Sequence, residues 1–388
     1  MIKRTTLWIF IVTLFLVCLG TIMVYSSSAA TAAYQKRRIL KKRAPDVLNQ
    51  TTLYHDSAFL KKQLLWVALS LGALFFFYNY DYARLKRKSY WILGSVVFLL
   101  SVVLIVGVTV NGAKRWLKLG PFTLQPSEFA KLALVIFMAR FLAEHKDKMK
   151  SFARGFLPVL GILSLTLILI VLEPDFGTTV ILGMIVFIIW FIAGLRLLHL
   201  SSLFLASIPC GIVVILLNPY RVRRILAFLN PWKHARGSAY QVIQSQIAVG
   251  SGGIGGRGLG AGLQKYHFLA ESHTDFIFSI IGEELGFIGA TFVVLLFVLL
   301  LWLGVIVALR VSDYYTGLLA SGIITMICLS AVVNFWVVLG LLPPKGLALP
   351  FVSYGGSSLI TNMAAIGILL NISKVTEETM CKARRRRR

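Results

Sequence analysis

The chain has 388 residues, 57% hydrophobic and only 14% charged, with mean hydropathy +0.81, which excludes a soluble globular fold of this size. Its formal charge of +25 is scattered through loops between apolar runs. That distribution argues against nucleic acid as a partner and for contact with anionic lipid headgroups.

Ten apolar runs follow in chain order: 7–26, 64–80, 90–109, 128–143, 156–172, 178–195, 198–217, 276–309, 315–341 and 357–372. Each suits one helical crossing of a bilayer. In hydrocarbon every backbone amide must be satisfied internally, and the alternation that a membrane barrel needs is weak, so the crossings are helices. The sequence predicts an all-α polytopic membrane protein with about ten transmembrane helices. A large extracytoplasmic loop, about 218–275, separates the seventh and eighth, and a basic cytoplasmic tail, 374–388, follows a single membrane domain over 1–373.

The first run imitates a signal peptide, with Lys3 and Arg4 before it and Ala29, Ala30, Ala32 and Ala33 after it. Its apolar part is longer than the roughly 7–15 residues of a signal core, so it reads as a retained span. The eighth run is too long for one straight crossing, and its first turns are expected at the outer interface. Lys and Arg in short loops set the orientation. Arg84, Lys86, Arg87 and Lys88, then Lys146, Lys148, Lys150 and Arg154, then Lys382 and Arg384 to Arg388 all fall on one side if the amino terminus is cytoplasmic. Lys36, Arg37, Arg38, Lys41, Lys42 and Arg43 fall on the other; a shallow helix on the headgroups there would reconcile them.

Three familiar patterns fail in context. Gly253 to Gly258 fits G-x-G-x-x-G without the strand and βαβ unit of a dinucleotide site. Asp175-Phe176-Gly177 copies a kinase tripeptide without its companion motifs. Cys18, Cys210, Cys328 and Cys381 have neither zinc spacing nor an external pair.

Four polar patches fall on the external side. The first runs from Asn111 through Arg115 and Trp116 to Gln125-Pro126-Ser127-Glu128 and Lys131. Ser127 as N-cap and Glu128 in the first turn would serve the helix alone. Lys131, one turn into an apolar helix, is left unexplained, and Arg115 reads as an interfacial anchor or a ligand group. In the second, Glu173-Pro174-Asp175-Phe176-Gly177-Thr178-Thr179, Pro and Gly make a tight turn, but two carboxylates exceed what a turn needs.

The third patch is the long insert, with Arg221, Arg223 and Arg224, then Asn230-Pro231-Trp232, Lys233 and Arg236. Gln241, Gln244 and Ser245 recur at helical spacing and predict a short interfacial helix. The composition suits a phosphate-bearing sugar, or any loop facing headgroups. The glycines at 250–262 are expected to form a close-packed, flexible external loop. The insert ends at Asp275. Ser272-x-x-Asp275 fits a capping box, with Asp275 at the third position of the eighth helix; the other reading makes Asp275 a general base at the membrane edge. Glu283 and Glu284 lie two turns further in and are costly without a role or partner. The fourth patch, Leu342 to Ser358, is too rich in Pro and Gly for a helix. Its irregular backbone must be shielded or line a cavity, where Lys345 would meet an anion and Gly355-Gly356-Ser357-Ser358 would open a helix amino terminus.

Gln125-Pro126-Ser127-Glu128, Glu173 to Thr178, His273-Thr274-Asp275-Phe276-Ile277-Phe278, Gly282-Glu283-Glu284-Leu285-Gly286 and Leu349 to Ser357 resemble, in order and across nearly the whole chain, the signatures of the SEDS family (shape, elongation, division, sporulation). Phe228 to Trp232, Gln264-Lys265-Tyr266 and Lys345 before Gly346 are more similar to its division branch than to its rod-elongation branch. Ala270 and Ser272 depart from the Pro and Ala usual at those positions.

The resemblance implies a peptidoglycan glycosyltransferase of cell division, acting on lipid II at the outer face of the bacterial inner membrane, with Asp275 as its catalytic carboxylate. Substrate-binding roles are expected for Arg115, Glu128, Lys131, Asp175, His273, Lys345 and Ser353. The diphosphate leaving group needs positive charge, from Arg115, Lys131 and Lys345 or from a divalent cation, Mg or Mn; no other cofactor is expected. Implied partners are a class B penicillin-binding protein transpeptidase and other divisome membrane proteins. The rival readings are a lipid II flippase, which needs no external base, and a non-catalytic division scaffold.

Overall fold

A computed structural model describes residues 2–43, 58–110, 113–120, 122–147, 156–235, 237–266, 269 and 272–386. Its helices are α1 (Ile2–Arg43), α2 (Ala58–Asn79), α3 (Tyr82–Val106), α4 (Pro126–Glu144), α5 (Leu157–Leu172), α6 (Phe176–Ile192), α7 (Leu197–Leu216), α8 (Pro219–Leu229), α9 (Tyr240–Ser251), α10 (Ile277–Arg310), α11 (Tyr314–Val338) and α12 (Gly356–Arg386). All of these except α8 and α9 fall on the ten apolar runs. Among the described residues, seven are long and apolar enough to cross a membrane. Of the other three, α5 and α6 have 16 and 17 residues, and α4 carries Glu128, Lys131, Arg140 and Glu144. The protein is a multi-pass membrane protein.

Two helices overrun their apolar runs: α1 continues to Arg43 and α12 to Arg386. The rest of the first loop, 44–57, lies outside the described residues, as do Lys148, Lys150, Arg154, Arg236, Ala270 and Glu271.

The centre of the bundle is α4, α11 and α12. Ala130 and every residue from Leu132 to Ala139 are buried, as expected for a helix that is apolar on all sides. Around this centre α12 packs on α2, α11 on α6 and α10, and α1 on α10 and α12. Small residues allow close approach: a Cβ on Gly20 of α1 would lie 2.5 Å from Val352 Cα. The first helix is thus built into the core beside the polar segment that precedes α12. By contrast α7 is exposed along most of its length and packs chiefly on α6 and α8.

Two features depart from the expected all-helical plan. Between α3 and α4 lies a small antiparallel sheet of β1 (Val108–Val110), β2 (Ala113–Leu119) and β3 (Phe122–Leu124), in the order β1-β2-β3. Val108 pairs with Trp116, and Leu117 with Leu124. The sheet aims Arg115 at the turn between α5 and α6. The second departure is a break in α10 at Gly286, whose φ of 69° and ψ of −166° suit glycine alone. Phe287 and Ile288 donate backbone N–H bonds to Gly253 and Ile254 (2.8 and 3.2 Å), and Glu283 and Glu284 carbonyls accept from Arg257 and Gly258 (3.0 Å each). Helix breaks persist at membrane depth only where neighbouring protein satisfies the freed groups. The glycine loop does so here: it is close-packed, as expected, and hydrogen-bonded to α10.

The insert after α7 carries α8, a short 3-10 turn (Pro231–His234) and α9. The expected interfacial helix is α9. Ser245 Oγ donates to Val338 O (2.8 Å) and Gln246 Nε2 to Leu339 O (3.1 Å), which seats α9 on the end of α11.

Candidate active site

Asp275 precedes α10, which begins at Ile277 with Phe276 as its cap residue and no side-chain cap. The capping-box expectation therefore fails: Asp275 lies before the helix, not at its third position, and Ser272 Oγ accepts a hydrogen bond from Ser27 of α1 (2.8 Å). The loop over 272–276 is held instead by distant backbone contacts. Asn334 of α11 donates from Nδ2 to both Asp275 O (2.9 Å) and Leu347 O (2.6 Å). Ser353 Oγ donates to Thr274 O (2.6 Å) and accepts from Leu349 N (2.7 Å). Tyr354 N donates to His273 O (2.9 Å), and the two rings meet edge to face at 5.8 Å. Ser353 and His273 thus brace the loop that carries Asp275.

These bonds bring the half-buried Asp275 side chain against Gly346. A Cβ on Gly346 would stand 2.9 Å from Asp275 Oδ2. Next to it, Lys345 Nζ lies 5.4 Å from the centre of the Phe176 ring at the start of α6. Burial lowers the Lys345 pKa, and the negative charge of Asp175 opposes that shift. Asp175 caps α6, accepting from Thr178 N (3.1 Å), Thr178 Oγ1 (2.9 Å) and Gln125 Nε2 (3.4 Å). From β2, Arg115 donates through Nε to Glu173 O (3.2 Å) and through Nη2 to Pro174 O (2.5 Å). The Glu173 side chain is fully buried, and its carboxyl oxygens have no hydrogen-bond partner among the described residues. Its pKa is pushed up to about 8, first by burial and then by Asp175, with Arg115 pulling the other way.

The structure therefore brings Asp275, Lys345, Asp175 and Arg115 into one chain of contacts. Glu128 and Lys131 stand apart from it. Both Glu128 carboxylate oxygens lie 2.9 Å from Lys131 Nζ, one turn along α4, and the pair is buried. Lys131 thereby has its counter-ion. Ser127 is not the N-cap of α4: Gln125 holds that position, and Ser127 Oγ accepts from its side chain (3.1 Å). The amino terminus of α12 faces α4, with Ser357 Oγ accepting from Gln125 N (3.0 Å).

Glu283 and Glu284 are also accounted for. Glu283 accepts from the backbone N–H of Leu263 (2.7 Å) and Gln264. Glu284 accepts from Lys265 Nζ (2.6 Å), Ser26 Oγ (2.9 Å) and Gly260 N (3.0 Å). They lock the glycine loop to α10 and α1.

Among the described residues no group of three or more His, Cys, Asp and Glu converges to hold a metal ion. An apolar groove of about 480 Å³ opens between α6 and α7, lined by Phe187, Phe191, Leu200 and Phe204. At 1.5 Å per residue it begins about 18 Å along α6 from Asp175.

Asn334 was not singled out from sequence, although a lone amide inside an apolar span is the signal that finds it. Gln125 and Gly346 were visible only as motif members.

Comparison with known proteins gives a consistent result. A family model described as "Cell cycle protein", covering FtsW, RodA and SpoVE, matches residues 6–378. Stage V sporulation protein E of Bacillus subtilis is 44% identical over 378 residues, covering 96% of this chain and 98% of its own. A probable peptidoglycan glycosyltransferase FtsW of Geobacter sulfurreducens is 41% identical, covering 96% of each chain. Among solved structures, a chain of a peptidoglycan synthase complex that coordinates polymerization and crosslinking superposes with TM-score 0.74 at 32% identity, covering 95% of this chain and 97% of that one. The rod shape determining protein RodA of Thermus thermophilus superposes with TM-score 0.65 at 28% identity, covering 94% and 95%.

Proposed function

The chain belongs to the FtsW/RodA/SpoVE family of cell cycle proteins, and from that membership we propose that it is a peptidoglycan glycosyltransferase that polymerises lipid II. One juxtaposition supports the reading most: Asp275 Oδ2 against Gly346 and next to Lys345, in a loop tied down by Asn334 and Ser353. The capping explanation for Asp275, which would have made it structural, is gone.

Asp275 accepts the proton of the acceptor GlcNAc 4-hydroxyl as that oxygen attacks the anomeric carbon of the donor MurNAc. The bond from that carbon to the diphosphate oxygen breaks, and its electron pair leaves with undecaprenyl diphosphate. The α-linked donor yields a β-1,4 bond by inversion. One carboxylate suffices, because a diphosphate leaves without a general acid. General-base help of this kind contributes about 10²–10⁴ in rate. Lys345 and Arg115 neutralise charge on the leaving group; Mg or Mn bound with the substrate would act in the same way. Asp175 fixes the turn beside Lys345, and Gln125, at the start of α4, donates to it.

The loop basic residues favour cytoplasmic termini and an external site on the bacterial inner membrane. Identities of 44% and 41% to sporulation and FtsW proteins, against 28% to a RodA, support a division-type role. The synthase-complex neighbour supports a class B penicillin-binding protein as the cross-linking partner, within a set of divisome membrane proteins.

A flippase would use a broken helix such as α10 as part of its route. Here the groups freed at Gly286 bond the glycine loop, which favours the enzyme. Purified protein given lipid II in detergent distinguishes the two, because flipping has no meaning without a bilayer. Glycan strands on a gel are the expected product; their absence from folded protein would favour the carrier.

A further inference from the structure

We propose that Arg221 and Arg224 of α8 join Arg115 and Lys345 in one anion site around Phe176 that grips the diphosphate of the lipid-linked substrate. The identity of the anion rests on the glycosyltransferase reading above; the site itself rests on geometry.

The Arg221 guanidinium lies 5.6 Å from the centre of the Phe176 ring, the ring that Lys345 Nζ approaches to 5.4 Å. Arg115 binds the carbonyls of Glu173 and Pro174, just before that ring in the chain. Arg224 Nη1 donates to Pro344 O (3.0 Å), next to Lys345. Three separate elements, β2, α8 and the segment before α12, therefore deliver positive charge to one place. Arg221 and Arg224 are three apart on α8 and share a face.

Carboxylates nearby offset this charge only in part: four cations face fewer charged acids. Among the described residues none of the four cations forms an ion pair with a carboxylate. Their donors go to carbonyl oxygens: Arg115 to Glu173 and Pro174, Arg221 to Val214 (2.7 Å), Arg224 to Pro344. Of the three acids nearby, Asp175 caps α6 and its charge acts on Lys345, Glu173 is held largely neutral by burial, and Asp275 sits against Gly346. Arg221 and Arg115 are close enough for each other's charge to matter, since burial and then Arg115 both lower the Arg221 pKa. Half-buried like charges repel without full screening by water or salt. Such a cluster costs stability unless an anion joins it. Guanidinium forks match phosphate oxygens two at a time, and a diphosphate offers several such oxygens in a short span. The site adjoins Asp275 through Gly346, as a leaving group beside the base requires.

Binding of undecaprenyl diphosphate and of undecaprenol to the purified protein in detergent tests this. The paired variant Arg221→Gln with Arg224→Gln is expected to bind the diphosphate about tenfold or more weakly, through lost charge-assisted bonds, with undecaprenol binding unchanged. Arg223→Gln, on the exposed side of α8, is expected to behave as wild type. Should the paired variant fail to fold, Arg224→Gln alone leaves the Arg221 tether to Val214 intact and carries the same test. Unchanged diphosphate affinity, or equal losses for both lipids, would overturn the proposal. Asp275→Asn separates the two readings. If it still polymerises while the arginine variants lose diphosphate affinity, the base assignment fails and the anion site stands. If it stops polymerising while the arginine variants bind normally, the reverse holds.

Discussion

This protein holds two groups of buried acids, and their surroundings differ. Glu283 and Glu284 accept from three backbone N–H groups, a serine and the lysine of a buried ion pair. Glu173 and Asp175 lie among more cations, yet those cations donate to carbonyl oxygens, and the Glu173 carboxyl has no partner among the described residues. The first group closes a break in a helix. The second adjoins Asp275, where Arg115, Arg221, Arg224 and Lys345 form no ion pair among the described residues. Burial alone does not separate scaffold from site; the destination of each hydrogen bond does.

Lys265→Met should break that contrast most strongly. It strands the Glu284 charge in a buried position, which costs about 3–5 kcal/mol when one partner of a buried pair is removed. Denaturant or thermal unfolding in detergent would register it. Combining it with Glu284→Gln should recover much of the loss, because a neutral pair removes the stranded charge; no recovery would mean that packing, not charge, holds the loop.

Gly346→Ala tests the other group. The added Cβ would meet Asp275 Oδ2 at 2.9 Å, so the carboxylate must shift. Polymerisation should fall about tenfold, or about 1.4 kcal/mol in the barrier, with little change in unfolding temperature. An unaffected rate would show that the carboxylate position is not critical.

A further effect concerns pH. Burial holds the Glu173 pKa near 8, above its ordinary 4.5, so the folded state keeps this proton longer than the unfolded state. Its contribution to stability is full below about 4.5 and is lost as pH rises through about 8. Unfolding temperature should therefore decline between pH 6 and pH 9, and Glu173→Gln should flatten that decline. An equal slope in both proteins would contradict the assignment.

The ten helices that fall on apolar runs were legible because such runs have few other solutions, and α9 was legible from Gln241, Gln244 and Ser245. Asp275 was legible as a costly acid at the end of a polar insert. The sheet was not: its outer strands have three residues each, too short for an alternating pattern to emerge. Nor were the partners of Glu284, since Ser26 is 258 residues away in the chain. The role of Asn334, though not the lone amide itself, was hidden for a similar reason. Its two acceptors, Asp275 O and Leu347 O, are backbone atoms of loops that only the fold brings together.

The rate of lipid II polymerisation by purified Asp275→Asn, measured beside its unfolding temperature, tests the central assignment most directly. The expected result is a loss of about 10²-fold or more at an unchanged unfolding temperature. Turnover at the wild-type rate by folded Asp275→Asn would contradict it.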